Sequence, residues 1–348
     1  MIVITGATGQ LGSLIVASLL ERVPAEEVGV SVRNPGRATG LAERGVRVRR
    51  GDFSEPNSLA DAFEGATQVL IVSANEIGGN AVDAHIAAID AARAAGAERI
   101  LYTSHQGASA DSLFAPMRDH AATEGYLAET GTPFTSLRNG FYATTVPFIL
   151  GQALTTGEIV APADGPVSWT TPSDLAEAAA TILADPGRFD GATSPLTASD
   201  VFDLDDVAGI LTKLTGRTIR RTVADDDEWA AGLTAHGAPE AQATMLVGMF
   251  RAALRGEFSA TSPALGDLLG RPATPLNSFL EGVAAGVPRS LLRAVQALLR
   301  LRRPRWRACS PQRRRSRQRI RATQVRRTAG RPPSGRPARS SPRRSAPR

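Results

Sequence analysis

A chain of 348 residues, 42% hydrophobic and 21% charged, is long enough to bury one large core or two modest ones and has the composition of a globular protein. Its net charge of +6 hides an asymmetry, because residues 287–348 hold 21 Arg and no Lys, Asp or Glu, leaving nineteen basic against thirty-four acidic groups in residues 1–286. An acidic body is a poor match to nucleic acid, and the single cysteine, Cys309, excludes an intrachain disulfide framework and a cysteine-based zinc site. With no apolar run of about 18 residues and no leader pattern ahead of the first strand, the expectation is a cytoplasmic protein without a membrane span.

In chain order, apolar β-type runs at 1–4, 28–32, 46–50, 68–73, 98–103 and 133–138 alternate with helix-period segments at 10–22, 37–44, 56–64, 80–96 and 116–130. Strands this apolar, separated by helices, call for a parallel sheet covered on both faces, hence an α/β, doubly wound Rossmann-type domain over 1–150. Gly96 and Gly131 stand where the chain leaves a helix for the next strand. Beyond residue 150, helices at 173–184, 203–215, 225–235, 238–254 and 276–284 surround short strands at 158–160, 193–196 and 217–222. They predict a smaller, mostly helical second lobe over 151–286.

Residues 287–348 are rich in Arg, Pro and Ser, so a disordered basic tail is expected from about 303 onward. Two readings of it stand. RSLLRAVQALLRLRR (289–303) puts Leu291, Leu292, Val295, Leu298 and Leu299 on one helical face, as suits an arm that binds nucleic acid or anionic lipid nonspecifically. The abrupt loss of acidic residues and the near-exclusive use of Arg equally fit a read-through or frame-shifted extension after about Gly286.

TGATGQLG (5–12) links the first strand to the first helix. Gly6 permits a tight turn, Gly9 lets the backbone approach a pyrophosphate, and Gly12 lets the helix pack closely on the strand. Together with Ala7, Thr8, Gln10 and Leu11, these residues form a loop whose helix-terminal N–H groups hold phosphates. Arg33, at the tip of the second strand, stands where an NAD-specific site carries Asp or Glu. A guanidinium there grips a 2′-phosphate, so NADPH (NADP+) is the expected cofactor, with Arg37 in support. Asp52 and Phe53 at the third strand's tip border the adenine side, and Ser73, Ala74 and Asn75 at the fourth line the nicotinamide side.

Short-chain dehydrogenases normally use Tyr-x-x-x-Lys, the lysine lowering the tyrosine pKa. Four residues beyond Tyr102, Tyr126 and Tyr142 come Gln106, Thr130 and Val146, and the one lysine is Lys213. The pair is absent. TGATGQLG, VRNP, YTS (102–104), the H-x-x-x-E of His120 and Glu124, and LRNGFY (137–142) together resemble the NmrA-like atypical short-chain dehydrogenase family. The likeness spans about 1–286, including PSDLAEAAA (172–180) and LLGRPATPLNSFL (268–280). It implies NADPH held by Gly6 to Leu11, by Arg33, by the 73–75 segment, and by Leu137, Arg138, Asn139, Gly140, Phe141 and Tyr142. Two departures matter: Gly125 stands where quinone-reducing members carry a lysine, which weakens a lysine-based mechanism, and Pro172 where they carry an arginine near the cofactor.

Reduction of a ketone makes an alkoxide that needs a strong proton donor, whereas reduction of a quinone makes a phenolate-like oxygen whose conjugate acid has a pKa of about 10. Loss of Tyr-x-x-x-Lys therefore favours a quinone or similar small planar acceptor. The candidate catalytic residues are His120 at the start of a helix, Tyr142 as a further donor, and His105 at the fifth strand's tip. For Phe141 core packing is the stronger expectation. His85 is expected in packing or at the surface and His236 in a loop, and four histidines scattered without clustered carboxylates give no metal-ligand spacing. The family also contains non-catalytic sensors, so an NADP(H)-sensing regulator that binds a partner protein is the alternative to an oxidoreductase. The sequence leaves monomer and homodimer both open.

Overall fold

The computed structural model describes residues 1–74, 81–187 and 189–286; Asn75 and the tail 287–348 lie outside the described residues. The first half runs β1 Ile2–Thr5, α1 Gln10–Leu19, β2 Val28–Val32, α2 Thr39–Glu43, β3 Arg47–Arg50, α3 Pro56–Phe63, β4 Gln68–Ile71, α4 Ala81–Ala94, β5 Arg99–His105, α5 Ala115–Glu129 and β6 Phe134–Asn139. The second runs α6 Thr145–Leu150, α7 Ala153–Thr156, β7 Glu158–Ala161, α8 Pro172–Ala184, β8 Gly191–Ala192, α9 Leu204–Thr215, β9 Arg220–Val223, α10 Asp226–Ala235, α11 Glu240–Leu254, α12 Ala264–Leu269 and α13 Leu276–Ala285. Among the described residues no helix is long and apolar enough to cross a membrane.

Seven strands form one parallel sheet in the order β3-β2-β1-β4-β5-β6-β8. Successive connections run outward on one side of β1 and then restart on the other at β4. The resulting switch point opens a crevice at the carboxyl ends of β1 and β4, where doubly wound sheets bind ligands. Alternation along the strands sends side chains to two buried faces. Ile2, Ile4, Val30, Leu70, Leu101 and Leu137 pack with Leu11, Ile15, Leu19, Leu175 and Ile182 of α1 and α8. Val3, Val69, Ile71, Ile100 and Tyr102 face the opposite layer of Leu59, Phe63, Ile89 and Leu127 from α3, α4 and α5. Ala176, Ala178, Ala179 and Ala180 keep α8 slim, and it lies against α1. Asp174 of that helix, buried, accepts from Thr274 N at 2.6 Å, Thr274 Oγ1 at 3.1 Å and Arg271 at 2.9 Å, which pins the 271–274 turn to the sheet layer.

A third core gathers Phe114 and Phe141 with α6, α9, α11, α13 and β7, while β7 and β9 make a separate two-stranded parallel sheet. Three local expectations change. The segment 37–44 divides into a 3-10 turn at Pro35–Ala38, started by proline and by Asn34 accepting from Gly36 N, followed by the short α2. The strand expected at 193–196 is displaced to β8, which joins β6 as the seventh strand of the main sheet. There Thr193 Oγ1 takes Arg138 N at 3.0 Å in place of a ladder carbonyl, so regular pairing is interrupted and resumes as a single parallel bridge between Asn139 and Leu196. The short helices α6, α7 and α12 have too few residues to reveal themselves by periodicity and are held by packing.

Candidate active site

At the carboxyl end of β1 the chain turns at Gly6, whose φ of +62° is left-handed, and enters α1 with Gly9 as N-cap. Gly9 N donates to Gly6 O at 2.9 Å, closing the turn. A Cβ at Gly12 would stand 2.3 Å from Gly6 O and 2.8 Å from Gly6 C, so only glycine lets the helix lie this close to the loop. No side chain caps α1 and its first turn holds no acid, so the amino end offers its free N–H groups and partial positive charge. Ala7 and Leu11 are buried beneath the loop, while Gly6, Gly9 and Gln10 are exposed and Thr8 half-exposed.

Arg33 follows β2 directly, is exposed, and has no hydrogen-bond or ion-pair partner among the described residues. Arg37 lies exposed in the 3-10 turn beyond it. Asp52 accepts from Ser54 N at 3.0 Å and Ser54 Oγ at 2.8 Å. Those bonds, with Arg33 nearby, hold its carboxyl below the usual aspartate range. Phe53 beside it packs partly against the α3 layer. At the end of β4, Val72 N donates to Thr5 Oγ1 at 2.9 Å and Ser73 N to Thr103 Oγ1 at 2.8 Å. These bonds fasten the tips of β1, β4 and β5 together around Ser73 and Ala74.

Three of the four histidines converge here, correcting the expectation that they are scattered. His85 comes from α4, His105 from the tip of β5 and His120 from α5. Tyr102 Oη lies 2.7 Å from His120 Nδ1 and 3.3 Å from His85 Nδ1, and Ala74 N donates to His85 Nε2 at 2.9 Å. His105 and His120 stack with ring centres 6.3 Å apart and planes 21° from parallel. Burial pulls the His85 pKa down to about 4 and that of His105 to about 3. His120 is held well below its ordinary value by burial and by the other two rings. All three are therefore neutral near pH 7. No group of three or more His, Cys, Asp or Glu residues among the described ones could hold a metal ion. His120 sits in the second turn of α5 rather than at its start, because Phe114 and Pro116 begin the helix at Ala115. The inward spacing of Ala81, His85, Ala88, Ile89 and Ala92 on α4 was the signal that His85 is a core residue needing partners.

The tip of β6 supplies the next wall. Leu137 is core, and Arg138 makes a two-point ion pair with Glu124, at 2.6 and 3.1 Å. Ser104 Oγ donates to the same carboxylate at 2.6 Å. Asn139 is buried with its Oδ1 unpartnered. A Cβ at Gly140 would lie 2.2 Å from Thr170 Oγ1. Tyr142 is half-buried, its pKa pushed up by burial against an opposing contribution from the Asn139 amide. Phe141 packs edge-on against His105, Trp169 and Phe258. Phe258 closes this aromatic wall, and its carbonyl accepts from Gln106 Nε2 at 2.8 Å and Ser168 N at 3.0 Å. Glu257 accepts from Ser112 Oγ and Leu113 N, tying the 107–114 loop to the same segment. Gly125 is exposed on α5, and Pro172 begins α8 behind its N-cap Thr171.

Residues 6–186 match the model of an NAD(P)H-binding family. Quinone oxidoreductase 2 of Escherichia coli is 35% identical over 277 residues, covering 79% of this chain and 96% of that protein. The crystal structure of the NADPH-dependent quinone oxidoreductase from Escherichia coli complexed with NADPH aligns with a TM-score of 0.77 at 34% identity, over 81% of this chain and 99% of that one. Triphenylmethane reductase of Citrobacter sp., complexed with NADP(H), aligns with a TM-score of 0.74 at 35% identity over 82% and 100% of the two chains. With a family model spanning half of its length and a relative this similar along nearly all of that relative's chain, the protein belongs to the NAD(P)H-binding, NmrA-like family.

Proposed function

We propose that this NAD(P)H-dependent oxidoreductase passes a hydride from NADPH to a quinone or similar small planar acceptor, with the two rings stacked in the crevice at the carboxyl ends of β1, β4, β5 and β6. The residues present suit the dinucleotide. The Gly6–Gly12 loop leaves a cradle that a Cβ at Gly12 would fill, and the orphaned Asn139 Oδ1 awaits a donor. In this reading residues 1–150 bind the nucleotide and carry His105, His120 and Tyr142, and 151–286, the substrate lobe, closes the acceptor wall with Trp169 and Phe258. Gly6 to Gly12 take the pyrophosphate, and Arg33, without a hydrogen bond or ion pair among the described residues, takes the 2′-phosphate. Asp52 and Phe53 border the adenine, Ser73 to Asn75 the nicotinamide, and 137–142 the floor. Arg138 acts from below by holding Glu124 in place.

The observation that carries the choice of acceptor is that every titratable ring at this end of the sheet is held neutral. NADPH supplies the hydride. The protein's own part is to align the acceptor at near-attack distance and to hydrogen-bond its oxygen through His120, with Tyr142 and His105 completing the wall. A phenolate-like product needs no strong acid to leave, and no ring of this wall among the described residues is one.

NADPH consumption is measured with benzoquinone, menadione and simple ketones. Turnover with the quinones and none with the ketones is expected; binding of NADPH without turnover of any acceptor overturns the enzyme reading in favour of the sensor. His120→Ala is expected to lower quinone kcat by about 10²-fold, the usual cost of one transition-state donor, while NADPH affinity is unchanged. Equal rates remove His120 from the site. Arg33→Glu is expected to lower the NADPH over NADH preference by roughly tenfold or more, as loss of a charged hydrogen bond implies. An unchanged preference means that another group holds the 2′-phosphate.

A further inference from the structure

We propose that Tyr102 and His85 are positioning residues that lock His120 as the tautomer carrying its proton on Nε2, the nitrogen left for the acceptor. The assignment follows from counting donors. The Ala74 amide N–H donates to His85 Nε2 at 2.9 Å. An amide nitrogen cannot accept, so that ring nitrogen is bare and the proton of neutral His85 sits on Nδ1. Two oxygens lie within its reach, Thr123 Oγ1 at 3.0 Å and Tyr102 Oη at 3.3 Å. Thr123 gives its own hydroxyl proton to the Asp119 carbonyl at 2.8 Å and is left as an acceptor. Tyr102 faces a nitrogen on His85 that is already protonated, and its remaining neighbours are Thr123 Oγ1, which already receives the His85 proton, and His120 Nδ1 at 2.7 Å, so its hydroxyl donates to the short contact on His120. His120 Nδ1 is thereby an acceptor, and the ring carries its proton on Nε2.

Water offers this chain no alternative, because Tyr102, Thr123 and His85 are all sealed at 1% exposure or less. His120 Nε2, in contrast, has no protein partner among the described residues. The neighbouring ring is set the same way. Gly107 N donates to His105 Nδ1 at 3.1 Å, which leaves its proton on Nε2, and the two rings stack side by side. The amide that starts the chain belongs to Ala74, at the β4 tip against which the nicotinamide half is placed above. The two rings thus offer N–H groups and no lone pair. They suit a carbonyl oxygen and the anionic oxygen that hydride addition leaves there, and they give nothing to the O–H of a protonated product.

This rests on the reading of His120 as the acceptor's hydrogen-bond partner, yet it is measurable without any acceptor. In protein with 15N-labelled histidine, long-range 1H–15N spectra distinguish the two tautomers of each ring. His120 is expected to show a protonated Nε2 and an unprotonated Nδ1. In Tyr102→Phe the same ring is expected to shift toward a mixture, with quinone kcat about tenfold lower, as for removal of a group that orients a catalytic partner, and NADPH affinity unchanged. In the double variant with His120→Ala, loss of the Tyr102 hydroxyl should add no further decrease. A proton on Nδ1 of His120 in the unsubstituted protein overturns the proposal, as does a His120 spectrum unaltered by Tyr102→Phe. Locked rings in a protein that reduces no quinone would overturn the proposed function and leave the tautomer assignment standing.

Discussion

Lowering the pH from 7 to 4 is expected to remove about 3 kcal/mol of stability through His85 and a similar amount through His105. Both rings are protonated in the unfolded chain once the pH falls below about 6.5. In the fold, burial delays protonation of His85 to about pH 4 and of His105 to about pH 3. Across that window the unfolded state binds more protons, so the contribution is complete above pH 6.5 and drains away as the pH falls. His120 adds in the same direction. Asp119 and Asp164, whose pKa values burial raises, oppose it only near the carboxylate range. A domain with about 5–15 kcal/mol in hand cannot absorb such a loss easily. Circular dichroism against pH should show acid unfolding with a midpoint between about pH 4 and 6, well above that of a protein destabilised by carboxylates alone. Stability that stays level from pH 6.5 to 4.5 would mean that the three rings are solvated.

Gly12→Ala is expected to weaken NADPH binding by about 10³-fold, equivalent to about 4 kcal/mol. The added methyl would meet backbone, Gly6 O at 2.3 Å and Gly6 C at 2.8 Å, and neither can rotate aside. To admit it, α1 must retreat from the loop, carrying its N–H groups away from the phosphates they would hold. Because α1 also packs along α8, the retreat costs stability as well, of the order of 1–3 kcal/mol as for other overpacked sites. Gly209→Ala serves as the control. That glycine lies within α9 with no atom inside 4 Å of its missing Cβ, so alanine there should leave affinity unchanged and stabilise the helix by about 0.5–1 kcal/mol. Retention of NADPH affinity in Gly12→Ala, measured by fluorescence titration, would place the phosphates away from this loop.

What could be read from the chain alone follows the range of the forces involved. Strands such as Ile2–Thr5 and Val28–Val32 are mostly apolar and buried throughout because both faces of the sheet are covered, and that signal is local. The glycine loop was legible for the same reason, since the turn, the N-cap and the close packing fall within seven residues. β8 was not, because two residues carry no period and its place is set by β6, far away in sequence. The histidine cluster escaped too. His85, His105 and His120 lie on different elements, and only the order β4-β5-β6 brings them side by side. The partner of Arg138 was not legible either: the resemblance placed it in a cofactor loop, and its ion pair with Glu124 joins β6 to α5, fourteen residues away in sequence.

The knot in which Phe258 O receives Gln106 and Ser168, with Glu257 holding the 107–114 loop, bears on how the crevice comes into being during synthesis. Strands β1 to β6 and the glycine loop emerge from the ribosome first and contain the whole half of the crevice proposed to hold the dinucleotide. The aromatic wall beside His105 stays open until the segment around Phe258 arrives to close it. A nascent chain halted between these points would present Phe114 and Phe141 to solvent, an exposed apolar seam of the kind that recruits chaperones.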